Sequence, residues 1–195
     1  MEITRIFGDG RLREVRAWQE WLQKIQILRK RYEYWGNGYD LFANNETANV
    51  ASLGNAATLA GHMALTEYAA VKHRHTRGRA HHNGRYDLWM SNADDSYCWG
   101  LEAKSLWDEQ TLNQSDFDKR MQAANKDTKA HMKGEADCRV GLFILTIQYR
   151  DDTDFRKESI RAHDALVMNS SAQVDLAYRL EGPLADLWLY FALNP

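Results

Sequence analysis

Cysteine is scarce here. Of 195 residues only Cys98 and Cys138 carry a thiol, too few and too far apart for a disulfide scaffold, which points to a reducing compartment. Long apolar runs are missing as well. No stretch approaches the ~20 apolar residues of a membrane span, and the opening MEITRIFGDG lacks the apolar core of a signal peptide. A cytoplasmic chain with no membrane partner is the expectation. Neither sign of charge predominates: 25 Lys and Arg against 27 Asp and Glu leave a formal charge of -2. No global field then draws the protein to nucleic acid, and any such binding needs a local basic surface. No internal repeat, linker or low-complexity segment divides the chain.

What is present belongs to an ordinary globular protein, with 44% apolar and 27% charged residues. The length suits one domain over residues 1–195 with a sizeable core. Within it we expect a helical extension over 1–45, a core over 57–149 and an addition over 150–195. Seven Trp and nine Tyr fit a large core, base stacking, or both.

The most informative stretch is GRYDLWMSNADDSYCWGLEAKSLW, Gly84 to Trp107. Tyr86 to Ser91 alternates in character, Asn92 to Ser96 is turn chemistry, and Tyr97 to Ser105 alternates again, as in a hairpin with one buried face. If Asn92 pairs with Tyr97, Ser91 falls opposite Cys98, Trp89 opposite Gly100, and Asp87 opposite Glu102, with side chains roughly 5 Å apart. Lys104 shares their face. The other face carries Tyr86, Leu88, Met90, Tyr97, Trp99, Leu101 and Ala103. A slip of one residue would put Asp87 and Glu102 on opposite faces.

Two carboxylates and an ammonium on one surface have a chemical use. Hard divalent cations such as Mg2+ take a few oxygen ligands and keep several waters, so Asp87, Glu102 and the Ala103 carbonyl can supply the protein's share. Water bound to such an ion is more acidic, and Lys104 can orient it or stabilise negative charge on a phosphate. The plain alternative is a cross-strand ion pair among Asp87, Glu102 and Lys104 on a solvated face.

Asp87, a turn, and then Glu102-Ala103-Lys104 at the end of an apolar strand resemble the active-site hairpin of the PD-(D/E)XK, or restriction-endonuclease-like, nucleases. The prefix Gly84-Arg85-Tyr86-Asp87 resembles the family's first motif, with Tyr86 where the family name has proline. The resemblance spans roughly Ala57 to Tyr149. It implies an αβββαβ core and metal-dependent hydrolysis of phosphodiester bonds in DNA. Asp87 and Glu102 would bind Mg2+ or Mn2+, and Lys104 would assist the attacking water. It also implies an acidic residue from the helix before the hairpin, matched here by Glu67.

Around this stretch, Leu12, Val15, Trp18, Leu22, Ile25 and Leu28 recur at helical spacing, predicting a helix from Arg11 to Trp35. It packs on the domain or, through Arg29, Lys30 and Arg31, serves a dimer contact or DNA-contacting arm. Tyr39 to Asn55 reads as a polar loop or short helical turn. A second helix is expected over Ala57 to Lys72, with Ala60, Met63, Ala64, Glu67, Ala70 and Val71 in one stripe. Glu67 either joins the metal site or pairs with Arg74 or Lys72. The following KHRHTRGRAHHNGR has no acidic residue, and its Lys72, Arg74, Arg77, Arg79 and Arg85 can neutralise phosphates or simply be a solvated loop. Its histidines lack the Cys partners or helical spacing of a zinc site.

A helix within Asp108 to Lys133 turns Phe117, Met121, Ala124, Thr128 and Met132 inward, and its Lys119 and Arg120 are candidates for the phosphate backbone. Val140 to Tyr149 reads as a central strand covered on both faces. Asp151 to Glu158 reads as a charged loop, Gln173 to Leu180 as an added edge strand, and Leu184 to Leu193 as a segment closing over the core. Helix, hairpin, helix and buried strand together predict a three-layer α/β/α sandwich around a mixed sheet. The function expected is a DNA nuclease, or the same fold kept as an inactive nucleic-acid-binding or assembly module, alone or as a homodimer or larger assembly.

Overall fold

The computed structural model describes residues 2–73, 81–108, 110–149 and 152–195. Its centre is β5 (Cys138–Gln148), buried at every position but the last. Alternate side chains divide between two cores: Val140, Leu142 and Ile144 on one side, Phe143, Leu145 and Ile147 on the other. A near-continuous apolar run is what a strand needs when both faces are covered.

Around it lie β1 (Ile3–Phe7), β2 (Ala64–His73), β3 (His81–Ser91), β4 (Cys98–Asp108), β6 (Leu176–Leu180) and β7 (Ala185–Asn194). They form one seven-stranded sheet in the order β1-β6-β7-β5-β4-β3-β2. All neighbours are antiparallel except β4 and β5. One face is covered by α1 (Arg13–Ala17), α2 (Gln19–Glu33) and α3 (Glu46–Leu59), the other by α4 (Gln114–Lys129) and α5 (Thr153–Leu166). The chain is therefore a three-layer α/β/α sandwich with a mixed sheet. Among the described residues no helix is long and apolar enough to cross a membrane.

From Leu88 to Ser91 the hairpin register is the one the sequence predicts, and the ladder ends before the expected pairing of Asp87 with Glu102. Trp89 pairs with Gly100 and Ser91 with Cys98, and Asn92 N donates to the Tyr97 carbonyl. Leu88, Met90, Trp99, Leu101 and Ala103 enter the core under α2 and α3. Tyr86 does not. It lies on the α4 side, stacked 3.7 Å from the His131 ring, with its ring over Gly100. The alternation breaks at Asp87. Facing it on β2, Glu67 has a φ of +54°, a left-handed conformation uncommon for a residue with a Cβ. The β2–β3 ladder pairs Thr66 with Leu88 and Tyr68 with Tyr86 but skips the position between.

Several expected elements lie elsewhere. The helix expected over Ala57 to Lys72 divides in two. α3 begins earlier, inside the segment read as a loop, where the Asn45 side chain accepts from Ala48 N, and it ends before Gly61 with its φ of +88°. The rest is β2, because pairing with β3 outweighs an apparent helical stripe in an alanine-rich run. Glu67 is thus a strand residue. The helix expected from Arg11 to Trp35 is two, meeting at Trp18. The segment expected to be only helical also supplies β1, whose pairing makes β6 an interior strand and not an edge. α5 occupies the expected charged loop, capped by Asp152, which accepts from the N–H groups of Asp154 and Phe155. β7 does not close over the core from outside; it lies in the sheet between β5 and β6.

α4 fulfils its prediction, burying Phe117, Met121, Ala124 and Thr128, while Met132 lies beyond its end, half-buried. It packs tightly on β5. A Cβ at Gly141 would lie 2.9 Å from the Asn125 backbone, so glycine sets the helix-to-sheet distance.

Candidate active site

The run α3, β2, β3, β4, α4, β5 places its acidic residues where β3 and β4 part. The last ladder pair before the gap is Leu88 with Leu101. In place of the next rung, Asp87 Oδ2 accepts from the Ala103 N–H at 2.7 Å. The carbonyl of a strand residue leaves on the same edge as its N–H, so the Ala103 carbonyl also faces the gap.

Asp87 opens into a cleft of about 140 Å³ roofed by the first turns of α3 and lined by Glu46, Thr47, Val50, Ala51, Thr66 and Glu67. Burial raises the Asp87 pKa to about 6, against the Ala103 N–H; the neighbouring Glu102 and Glu46 carboxylates add to the rise and Lys104 opposes it. Glu46 is held by Ser105 N, which donates to its Oε2 at 3.1 Å. Sequence reasoning misses Glu46 because the polar stretch Tyr39 to Asn55 reads as a loop or short helical turn, whereas α3 begins within it. The signal was Asn45 followed by Glu46, a cap and an acidic first turn.

Glu102 and Lys104 project from β4 toward α4, since Ala103 between them points into the opposite core. Glu102 is 4% exposed. Its Oε1 meets Lys72 Nζ at 2.8 Å and His131 Nε2 at 2.5 Å. Lys104 Nζ pairs with Asp127 of α4 at 3.0 Å. Burial works against its charge, but the Asp127, Glu46 and Asp87 carboxylates outweigh that and raise its pKa. The three residues of the motif therefore do not pair with one another. Asp87 turns to the α3 side and Glu102 and Lys104 to the α4 side, and they communicate through the gap by charge.

Of the remaining candidates, Glu67 lines the Asp87 cleft. Glu67 is exposed and pairs with Arg85 at 3.1 Å, in place of the expected Arg74 or Lys72. Lys72 is committed to Glu102. Arg74, Arg77 and Arg79 lie outside the described residues. Lys119 pairs with Asp116 on the α4 surface. Arg120 lies nearer the gap, 3.5 Å from the Ser105 carbonyl. Of the cluster at the end of α2, Arg29 is buried against Asp40 at 2.8 Å, leaving Lys30 and Arg31 exposed.

The donor chemistry suits a hard divalent cation. Asp87 Oδ1, Glu46 Oε1 and Glu102 Oε2 have no protein hydrogen bond among the described residues, and the Ala103 carbonyl adds a fourth oxygen. An Asp87 pKa raised by burial, with the Glu102 and Glu46 carboxylates adding to the rise, is what a bound cation would reverse. Yet among the described residues no three such side chains already stand where they could hold an ion together. Glu102 is drawn to Lys72 and His131, so occupancy requires it to change partners.

No family model matches this chain, and no curated protein or solved structure matches it.

Proposed function

We propose that this protein is a metal-dependent nuclease of the PD-(D/E)XK kind, hydrolysing phosphodiester bonds in DNA. The observation that carries the reading is the αβββαβ succession with Asp87 and Glu46 on one side, and Glu102 and Lys104 on the other, of the gap where β3 and β4 separate. Asp87, Glu46, the Ala103 carbonyl and a released Glu102 would hold Mg2+ or Mn2+. The bound ion supplies a more acidic water and neutralises phosphate charge. Lys104, kept protonated by Asp127, steadies the negative charge that develops on the phosphate. Arg120 and the basic residues between β2 and β3 favour the phosphate backbone. Two free cysteines suit work in the cytoplasm.

The test is cleavage of plasmid and linear DNA with Mg2+ or Mn2+. Asp87→Ala, Glu46→Ala and Lys104→Ala should each abolish cleavage while circular dichroism stays unchanged. Wild-type rates in the Asp87 or Lys104 variants would reject the assignment. A second reading, an inactive nucleic-acid-binding module, is favoured by one observation: Glu102 is already paired with the Lys72 ammonium and in hydrogen-bond contact with His131. Such a module would bind DNA with salt dependence alone and without response to metal.

A further inference from the structure

Between α2 and the cleft, residues 34–39 form a closely bonded turn that holds aromatic rings in solvent. Trp35 N and Gly36 N both donate to the Tyr32 carbonyl at 2.8 Å, and Tyr39 N donates to the Gly36 carbonyl at 2.9 Å. Gln148 of β5 ties the turn to the sheet through the Gly38 carbonyl at 2.7 Å. A Cβ at Gly36 would lie 2.5 Å from the Tyr39 carbonyl oxygen, so the backbone has no slack. Its side chains nevertheless face outward: Tyr34 is 85% exposed, Trp35 75% and Tyr39 49%. Trp107 of β4, also exposed, meets Tyr39 edge to face at 6.0 Å, and Tyr34 meets Trp35 in the same way at 5.1 Å.

A fold that encloses Trp18, Trp21, Trp99 and Trp188 completely keeps these rings in water on an ordered support, and their position indicates why. Trp107 is three residues beyond Lys104, roughly 10 Å along the strand. The chain leaving Tyr39 runs directly to Glu46. Exposed Lys30 and Arg31 precede the rings in the chain, and Arg31 and Trp35 border a groove of about 250 Å³ floored by Leu28 and Leu41. Rings interleaved with cations track a single strand, because every base offers a face for stacking and every phosphate a charge. Paired bases in a duplex keep their faces stacked on one another.

We propose that Tyr34, Trp35, Tyr39 and Trp107 are a stacking platform for unpaired DNA bases, and that the substrate class is DNA bearing a single-stranded segment, a flap or a frayed end. The catalytic half of this statement rests on the nuclease reading, whereas the binding half does not.

The experiment measures anisotropy of a labelled oligothymidylate and of a blunt duplex of equal length, with the full chain in EDTA. The single strand should bind more tightly than the duplex. Trp35→Ala and Tyr39→Ala should each weaken single-strand binding roughly tenfold, Trp35→Phe should restore most of it, and Met168→Ala, at an exposed apolar residue beyond α5, should bind like the wild type. Unchanged affinity in both alanine variants, or a preference for duplex, would overturn the platform. So would a wild-type dimer in sedimentation that Trp35→Ala dissociates, since the rings would then belong to a second copy. Intact single-strand binding with this pattern but no metal-dependent cleavage would support the platform and remove only the nuclease reading.

Discussion

Lys72 and Glu102, thirty residues apart in the chain, meet at 2.8 Å across the strand that lies between theirs. The same carboxylate oxygen takes His131 on its other side, and the His131 ring is stacked on Tyr86. A lysine expected to touch phosphate thus neutralises the glutamate expected to touch metal.

That pair should be energetically coupled. Both groups are largely shielded from solvent, with side chains 20% and 6% exposed, and a hydrogen bond to a charged group is worth about 1.5–3 kcal/mol. A double-mutant cycle of Lys72→Met and Glu102→Gln, read by urea denaturation, should return a coupling of about that size. A coupling below about 0.5 kcal/mol would show the contact to be an ordinary solvated one.

Asp87 makes a second expectation. With its pKa raised from 3.8 to about 6, the folded state holds a proton that the unfolded chain has released. Stability from this group is complete below pH 4 and is lost as pH rises through about 6, by up to about 3 kcal/mol less the solvent screening of a half-buried group. Asp87→Asn should therefore stabilise the protein by about 1–2 kcal/mol at pH 7 to 8 and not at pH 4. Millimolar Mn2+ should raise the wild-type Tm and leave that of Asp87→Asn unmoved.

His163 acts with the opposite sign. It is fully buried, its Nε2 accepts from Leu112 N and its Nδ1 meets the Ser159 hydroxyl at 3.0 Å. This is a packed structural pair and not a nucleophile with access to substrate. Burial lowers its pKa from 6.5 to about 4, so its stability is present above pH 6.5 and is lost as pH falls through about 4. In the wild type the two slopes oppose each other. In Asp87→Asn the His163 slope should no longer be opposed by that of Asp87, and unfolding free energy should fall by about 3 kcal/mol between pH 7 and pH 4. A flat profile in that variant would contradict the assignment.

Gly100→Ala should be costly. A Cβ there would lie 2.5 Å from the Tyr86 ring, which is backed by His131 at 3.7 Å and has no room to retreat. We expect a loss of about 2–3 kcal/mol in thermal or urea unfolding, whereas Gly134→Ala, in open space at a positive φ, should cost about 1 kcal/mol.

The hairpin register, α4 and the central strand were legible because each is settled by a short-range pattern. Turn chemistry from Asn92 to Ser96, the inward spacing of Phe117 and Met121, and the unbroken apolar run of β5 have one solution each. α3 and β2 were not. Ala57 to Lys72 offers a helical stripe and a usable strand at once, and only the partner strand chooses between them. Glu46 went unnoticed for the same reason, since a carboxylate's meaning depends on whether its backbone is a loop or the first turn of a helix over the sheet.

By itself the sequence determined the layered α/β class, the pairing of β3 with β4 and the proximity in register of Asp87 to Glu102-Ala103-Lys104, because alternation and turn residues act over a few positions. Only the tertiary structure decided which way those groups turn. The left-handed residue at Glu67 accompanies a break in the alternation at Asp87, the Lys72 and His131 partners come from elements distant in the chain, and Glu46 arrives from another layer. Side-chain direction at a strand irregularity, and the partners of a buried charge, follow from packing between layers, and no local pattern encodes that.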